Sequence, residues 1–181
     1  MGHRKLRISI TGHRHWTDPK KERKRLFDNM DSFMFLLLKE YRKENIVLLN
    51  GCATGVDQWF GIYALQRDLR FELYLPFKRT IQVVKGKMTP KQVESLNDQY
   101  RHADKVVVVN DKFFTYGYQK RNIALVNNCQ ILLTYYTRSR SGSGNCLRYA
   151  VEKGRRIVNL REFSNLYSTK TEIWETWFST L

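Results

Sequence analysis

The sequence predicts an α/β fold: a doubly wound, mainly parallel sheet with helices on both of its faces. Short apolar runs of strand type alternate along the chain with longer stretches of helical periodicity, and this alternation is typical of βαβ units. No linker rich in Gly, Ser or Pro and no internal repeat interrupts the pattern. We therefore expect residues 1–181 to form a single domain.

Six runs are predicted to be strands because they are apolar or β-branched and end near turn residues. They are residues 6–11 (ending at Gly12), 46–50, 71–75, 105–109, 131–135 and 156–160. The run at 105–109 contains four consecutive valines, which favours a parallel strand covered on both faces.

Helical stretches separate these strands. Asp18 and Pro19 form an N-cap followed by proline in the first turn, and Thr89 begins a capping-box pattern. The predicted helices follow Asp18, cover about 56–67, extend from Thr89 to about 103, cover 119–128, and extend from the loop at 139–144 to Gly154. Trp174 and Trp177 predict a short tail helix over 170–181.

A large excess of positive charge is the unusual feature of the composition. Lysine and arginine total 32 against 17 acids, which gives a net charge of +15. The excess is concentrated in residues 1–25 and 138–161. A polyanion is therefore the expected partner, bound with an affinity that falls steeply with salt. Charge alone leaves DNA, RNA and a small multiply phosphorylated ligand open.

The cysteines and the hydropathy pattern predict a cytoplasmic location. Cys52, Cys129 and Cys146 are odd in number and form no CxxC pair, which indicates reduced thiols. The longest apolar run, residues 33–38, is too short to cross a bilayer, and no apolar segment typical of a secretory signal follows the basic start. Cys52 and Cys146 lie in glycine loops. Two hypotheses stay open for them: a reactive thiol, or a small residue that is tolerated near a turn.

The loops that follow the strands are the candidate site, because ligands of doubly wound sheets bind beyond the carboxyl ends of the strands. Gly12, His13 and Arg14 follow the first predicted strand. Glycine lets the backbone approach a ligand closely, and the arginine offers a forked donor for phosphate. His13 is a candidate hydrogen-bond donor or acid–base group. His15 follows, but no third ligand is visible, so no metal site is predicted.

A second loop runs from the second strand into a helix and contains Gly51, Gly55 and Asp57. The two glycines allow a tight turn, and the helix start presents free N–H groups to an anion. Asp57 lies in the first helical turn, where it either complements the helix dipole or accepts a hydrogen bond from a ribose hydroxyl. The loop matches neither the G-x-G-x-x-G fingerprint nor a Walker loop.

A third loop precedes the last predicted helix. Small residues at a helix start form an anion-binding concavity, and a plain surface loop is the alternative. The segment consists of Ser141, Gly142, Ser143, Gly144 and Asn145. Its two serines are predicted to be additional donors, and Arg138, Arg140 and Arg148 raise the local positive potential.

Taken in order, these segments resemble the SLOG superfamily, which includes LOG-type phosphoribohydrolases, DprA-type DNA-processing proteins and YpsA/YoqJ-like proteins. The resemblance is strongest for the YpsA/YoqJ-like group and rests on TGHR at 11–14, GCATGVDQW at 51–59, RN at 121–122 and SGSGNCLRYA at 141–150. It implies a Rossmann-like sheet, homodimers, and a nucleotide or nucleotide-derived ligand held by the glycine loops. It also brings Arg121 and Asn122 into the expected site.

The implied roles divide the ligand among the loops. Backbone amides of residues 142–145 hold phosphate, Arg14 and Arg121 neutralise it, and Asp57 contacts ribose. LOG-type enzymes carry PGGxGTxxE with an essential glutamate, and alignment places Arg148 at that glutamate. A positive side chain cannot supply the carboxylate that stabilises an oxocarbenium-like transition state.

The sequence therefore predicts a nucleotide-binding sensor or sequestering protein with no catalytic residue and no cofactor. A DprA-like nucleic-acid-binding protein is the first alternative, favoured by the positive charge and by loop residues such as Tyr116 and Tyr118. The second alternative is a nucleotide N-glycosidase or phosphoribohydrolase that uses a displaced acid, Asp57 or Glu152.

Overall fold

A computed structural model describes residues 5–136 and 142–163. Its six strands are β1 (Leu6–Gly12), β2 (Ile46–Asn50), β3 (Arg70–Leu75), β4 (Lys105–Val108), β5 (Ile131–Tyr135) and β6 (Arg156–Asn159). They form one sheet in the order β4-β3-β2-β1-β5-β6, and every neighbouring pair is parallel. The predicted fold class is confirmed. The predicted tail helix over 170–181 and the site residue Ser141 lie outside the described residues.

The described helices are α1 (Pro19–Glu40), α2 (Val56–Gln66), α3 (Arg79–Lys85), α4 (Pro90–His102), α5 (Gly117–Asn127) and α6 (Gly142–Glu152), with a short 3-10 turn at Lys43–Asn45. Asp18 caps α1 by accepting from the amide of Lys21, and Thr89 and Gln92 form the predicted capping box of α4. The sequence did not predict α3. Its 7 residues are too few for helical periodicity to be recognised.

Two hydrophobic cores cover the two faces of the sheet. Along β2, Ile46 and Leu48 belong to the core shared with α1 and α2, whereas Val47 and Leu49 belong to the core shared with α5 and α6. Successive side chains of a strand point to opposite faces, so a strand with both faces covered is apolar at every position. This explains why β2 reads as an uninterrupted apolar run.

Strand β4 differs from its prediction. It lies at one end of the strand order, and Lys105 and Val108 are exposed, Val108 by 41%. The expectation that both of its faces are covered is wrong for the described part of the chain. A run of valines indicates a strand, but its composition does not distinguish a central position from an edge, because that depends on which strands pair.

The described residues contain no helix that is both long enough and apolar enough to cross a membrane. Cys52, Cys129 and Cys146 are free and buried. Burial raises the pKa of Cys52 and of Cys146 to about 12, and that of Cys129 to about 11. Because a thiol reacts through its thiolate, these three groups are neutral and protected at physiological pH.

We expect the native protein to resist Ellman's reagent at pH 8, since burial disfavours the thiolate and excludes the reagent. Unfolding in guanidinium chloride should expose all three thiols to the reagent. The absorbance of the released thionitrobenzoate measures how many thiols have reacted. Fast reaction of one thiol in the native protein would contradict this expectation and restore the reactive-thiol reading of Cys52 or Cys146.

Candidate functional site

A cavity of about 450 Å³ opens beyond the carboxyl end of β1. This strand lies between β2 and β5, so the chain adds strands on one side of β1 first and on the other side afterwards. Such a reversal of strand order leaves a crevice at the carboxyl ends, which is where α/β sheets bind ligands. The volume lies in the range of small-molecule sites.

The structure brings residues from all three predicted loops and from α5 into this cavity. Nine of the predicted site residues line it: Gly12, His13, Arg14, Asp57, Arg121, Asn122, Gly142, Ser143 and Asn145. Three others, Gly51, Gly55 and Gly144, are not lining residues. Arg148, at the position of the LOG-type glutamate, is exposed on α6 and does not line the cavity either.

A buried ion pair stands at one wall of the cavity. Nη1 of Arg121 donates to Oδ2 of Asp57 over 2.7 Å, and the two side chains are only 6% and 8% exposed. Oδ2 of Asp57 also accepts from the amide of Ala53. Hydrogen bonds of this kind are what allow a buried pair to overcome the cost of desolvation. Asp57 is thus the partner of Arg121, a role that the sequence did not predict.

Two glycines of the second loop, Gly51 and Gly55, position the site. A Cβ on Gly51 would overlap Nη1 of Arg121, so the arginine can reach Asp57 only because this residue has no side chain. Gly55 has a φ of +79°, and a Cβ there would meet the carbonyl oxygens of His13 and Arg14. Because they have no side chain, these two glycines allow the loops and the Arg121 guanidinium to pack closely together.

The two helix starts differ in what their polar groups contact. At α2, the amide of Val56 donates to the carbonyl of His13 over 3.2 Å, so this amide joins two loops and does not face a ligand. At α6, the hydroxyl of Ser143 donates to the carbonyl of Gly12 over 2.7 Å, and Gly142 and Asn145 are exposed. The start of α6 therefore lies at the cavity, which Gly142, Ser143 and Asn145 line.

Aromatic residues of the segment before and at the start of α5 form the rim. Tyr116 is 57% exposed and lines the cavity together with Tyr118, and the guanidinium carbon of Arg14 lies 5.1 Å from the centre of the Tyr118 ring. The sequence did not place Thr115 and Gln119 in the site, although both line it. Gln119 lies two residues before Arg121 on α5, and Thr115 precedes this helix, so helical spacing from Arg121 does not predict either residue.

The charges of the cavity favour one anionic group. Among its described lining residues, Arg14 and Arg121 are the arginines and Asp57 is the carboxylate. Because Asp57 pairs with Arg121, the charge of Arg14 is left for a ligand. No group of three His, Cys, Asp or Glu side chains within the described residues could hold a metal ion. The geometry defines a cavity at the carboxyl ends of the strands of a parallel α/β protein, lined by Arg14 and by the Arg121–Asp57 pair.

The family models and the curated proteins contain no match to this sequence. Solved structures with a similar fold include DNA processing protein A (DprA) from Streptococcus pneumoniae, 18% identical, with a TM-score of 0.64 over 92% of this chain and 57% of that chain. DprA from Helicobacter pylori, which binds single-stranded DNA, is 16% identical, with a TM-score of 0.60 over 84% and 63%. TM1055, a structural genomics target, is 12% identical, with a TM-score of 0.55 over 84% and 72%.

These similarities show a fold of the DprA type. The chain spans less than two thirds of either DprA chain, 57% of one and 63% of the other.

Replacement of Gly51 by alanine should disturb the ion pair, because the new methyl group overlaps Nη1 of Arg121. We expect Gly51→Ala to lower the free energy of unfolding by about 1–3 kcal/mol, measured by urea denaturation. Gly142→Ala is the matched control, since a Cβ there meets no atom within 4 Å and alanine favours a helix. Equal stability of the two variants would show that Gly51 does not hold the arginine.

Proposed function

We propose that this protein binds a nucleotide or a nucleotide-derived ligand in the cavity without hydrolysing it, as a sensor or sequestering protein. The observation that carries the proposal is the meeting of Arg14, the Arg121–Asp57 pair and the start of α6 around one cavity at the reversal of strand order. A helix start beside arginine is suited to phosphate.

Each wall of the cavity is assigned one part of the ligand. The amides at the start of α6 and the guanidinium of Arg14 hold phosphate. Arg121 donates its remaining N–H groups to the phosphate, and Asp57 keeps the guanidinium in place. Tyr116, exposed at the rim, stacks on the base, since any base offers a π-face.

The carboxylates of the described residues favour binding over base release. A glycosidase needs a carboxylic acid that protonates the leaving group and a second carboxylate at the sugar. Oδ2 of Asp57 is held by Arg121 and by the amide of Ala53. Glu152 is exposed at the end of α6 and does not line the cavity. The arrangement supports the proposal that the ligand is bound intact.

The proposal includes membership of the YpsA/YoqJ-like group, a homodimeric state and a reducing cytoplasmic environment. The motifs at 11–14, 51–59, 121–122 and 141–150 support the grouping, and the buried free thiols are compatible with such an environment. Native mass spectrometry of the purified protein measures both its oligomeric state and any nucleotide that it retains.

The ion pair provides the test of the site. Loss of Arg121 alone would leave Asp57 charged and unpaired in a buried position, which costs about 3–5 kcal/mol. The double variant Arg121→Met with Asp57→Asn removes both charges and keeps an acceptor for the amide of Ala53. We expect it to fold but to lose the rise in melting temperature that nucleoside 5′-monophosphates give the wild type.

The control is Lys24→Met with Asp28→Asn, which removes an exposed ion pair from α1. Exposed pairs contribute at most about 1 kcal/mol, so its ligand response should equal that of the wild type. An unchanged thermal shift in the Arg121 double variant would remove the pair from the binding site.

Binding of single-stranded nucleic acid is the second candidate, and the surface beside the cavity supports it. Phe113 and Tyr116 are exposed on the segment that leads to α5, and the ammonium group of Lys85 lies 4.5 Å from the centre of the Phe113 ring. Lys120 lies 5.1 Å from the ring centre of Phe114. Stacking aromatics beside cations are typical of sequence-independent strand binding, and the DprA from H. pylori binds such a ligand.

Filter binding of single-stranded DNA at two salt concentrations tests this candidate. We expect the affinity of the wild type to fall steeply with salt, and Tyr116→Ala to weaken it by about 1–3 kcal/mol through lost stacking. The side chain of Tyr116 is exposed, so the variant should keep the stability of the wild type. No retention on the filter at low salt would eliminate the candidate.

A further inference from the structure

A second cavity of about 340 Å³ adjoins the first. It lies between the start of α1, the exposed side of α2 and the start of α4. We call it the tryptophan groove and define it by Arg14, Trp16, Arg23, Trp59 and Lys91, which line it. Arg14 lines both cavities, so the groove continues from the proposed nucleotide site.

The groove carries positive charge that no acid among residues 5–136 and 142–163 neutralises. Arg14, Arg23 and Lys91 are exposed, and none of them forms an ion pair with any residue that the structure describes. The described lining contains no aspartate or glutamate. An anionic group that enters the groove would therefore meet cations that are free to pair with it.

Two indole rings lie among these cations. Trp16 and Trp59 are half-buried, pack against the core shared with α1 and α2, and line the groove. The ring of Trp16 also lies 5.3 Å from the rings of His13 and Tyr135, and the guanidinium carbon of Arg161 lies 5.7 Å from its centre. Rings that are fixed by the core lose little conformational freedom when a flat ligand stacks on them. The combination of aromatic faces and unpaired cations is the arrangement that binds bases together with phosphates.

Hydrogen bonds between α2 and α4 hold the groove open in a fixed shape. Nε2 of Gln58 on α2 donates to the carbonyl of Gln92 on α4 over 2.8 Å, and Nε2 of Gln99 donates back to the carbonyl of Gln58 over 3.2 Å. Gln58 and Gln99 are buried. Because the walls are clamped together, a ligand would enter a preformed site.

We propose that the tryptophan groove is a second subsite, which takes the base and phosphate of a nucleoside unit joined to the nucleotide in the first cavity. This inference rests on the proposed function. Arg14, shared by both cavities, lies beside the phosphate that joins the two units, and Arg23 and Lys91 hold the next phosphate. An acidic peptide would use the cations alone, whereas the base of a linked nucleoside also stacks on Trp59.

The length of the ligand is the variable that tests the subsite. The probes are deoxyadenosine 5′-monophosphate, the dinucleotide pdApdA, and an octamer of deoxyadenylate, each titrated against the full chain by tryptophan fluorescence and calorimetry. We expect pdApdA to bind the wild type about 5- to 150-fold more tightly than the mononucleotide, which corresponds to one additional stacked base.

Two variants should remove this gain and leave the affinity for the mononucleotide unchanged. Trp59→Ala removes a stacking surface, and Lys91→Glu removes a cation on an exposed position that does not contribute to the core. Trp59→Phe should keep much of the gain but lose part of the fluorescence quenching, which identifies the ring that the base contacts. The matched controls are Phe35→Ala on the exposed face of α1 and Lys105→Glu at the opposite end of the sheet; both should behave as wild type.

The outcomes separate the subsite from the proposed function. Equal affinity of the wild type for the mononucleotide and pdApdA overturns the subsite and leaves the nucleotide cavity standing. A gain that grows steadily to the octamer and is unaffected by Trp59→Ala and Lys91→Glu also overturns it, as does equal displacement by an acidic peptide. Absence of any mononucleotide binding overturns the proposed function itself.

The same three probes show whether the second nucleoside unit belongs to a dinucleotide or to a longer strand. A gain that is complete at pdApdA supports the subsite and identifies a dinucleotide as the ligand. A further gain at the octamer that Lys91→Glu removes supports the subsite as part of a path for a strand.

Discussion

The site depends on the buried ion pair between Arg121 and Asp57. Its two charges come from α5 and α2, 64 residues apart in the chain, and each must leave water to reach the other. An unpaired charge in this place would be strongly destabilising, so the two helices are fixed relative to each other. Gly51 lies beneath the guanidinium, where any side chain would overlap it. The lack of a side chain at one position thus allows the contact that orders the cavity.

The two helix starts differ in their contacts with other protein groups. Asp57 belongs to the first turn of α2 and faces Arg121, while the amide of Val56 donates to the carbonyl of His13. The first amide of α2 is therefore paired with a protein group. At α6 the side chains of Ser143 and Asn122 donate to the carbonyl oxygens of Gly12 and Gly142 respectively, so these contacts join the helix start to β1 and α5. Anion binding at the two helix starts stays a prediction from the sequence.

Local patterns predicted most of the fold, and long-range pairing accounts for what they missed. Asp18, Thr89 and the apolar runs act on their immediate neighbours, so the helix starts and strands could be read from the sequence. The position of β4 at an edge depends on strand order, which no single run encodes. The loops of the site could be located from the sequence because they follow strands. The partner of Asp57 could not, because a charged residue has many candidate partners of opposite charge far away in the sequence. The nine predicted residues that line one cavity were predicted from their position after a strand or from the family resemblance. Their contacts could be identified only in the folded structure.

The cations that contribute to the net charge of +15 differ in whether an acid pairs with them. At the amino ends of the strands, Arg70 pairs with Asp104 and Lys43 pairs with Asp68. Beyond the carboxyl ends, Arg14 and the tryptophan groove have cations without such partners in the described residues. Paired charges cancel at a distance, whereas unpaired ones extend a potential over about one Debye length, roughly 8 Å at physiological salt. Under the proposed function, the cations of Arg14 and the tryptophan groove attract a polyanion to the end of the sheet that holds both cavities.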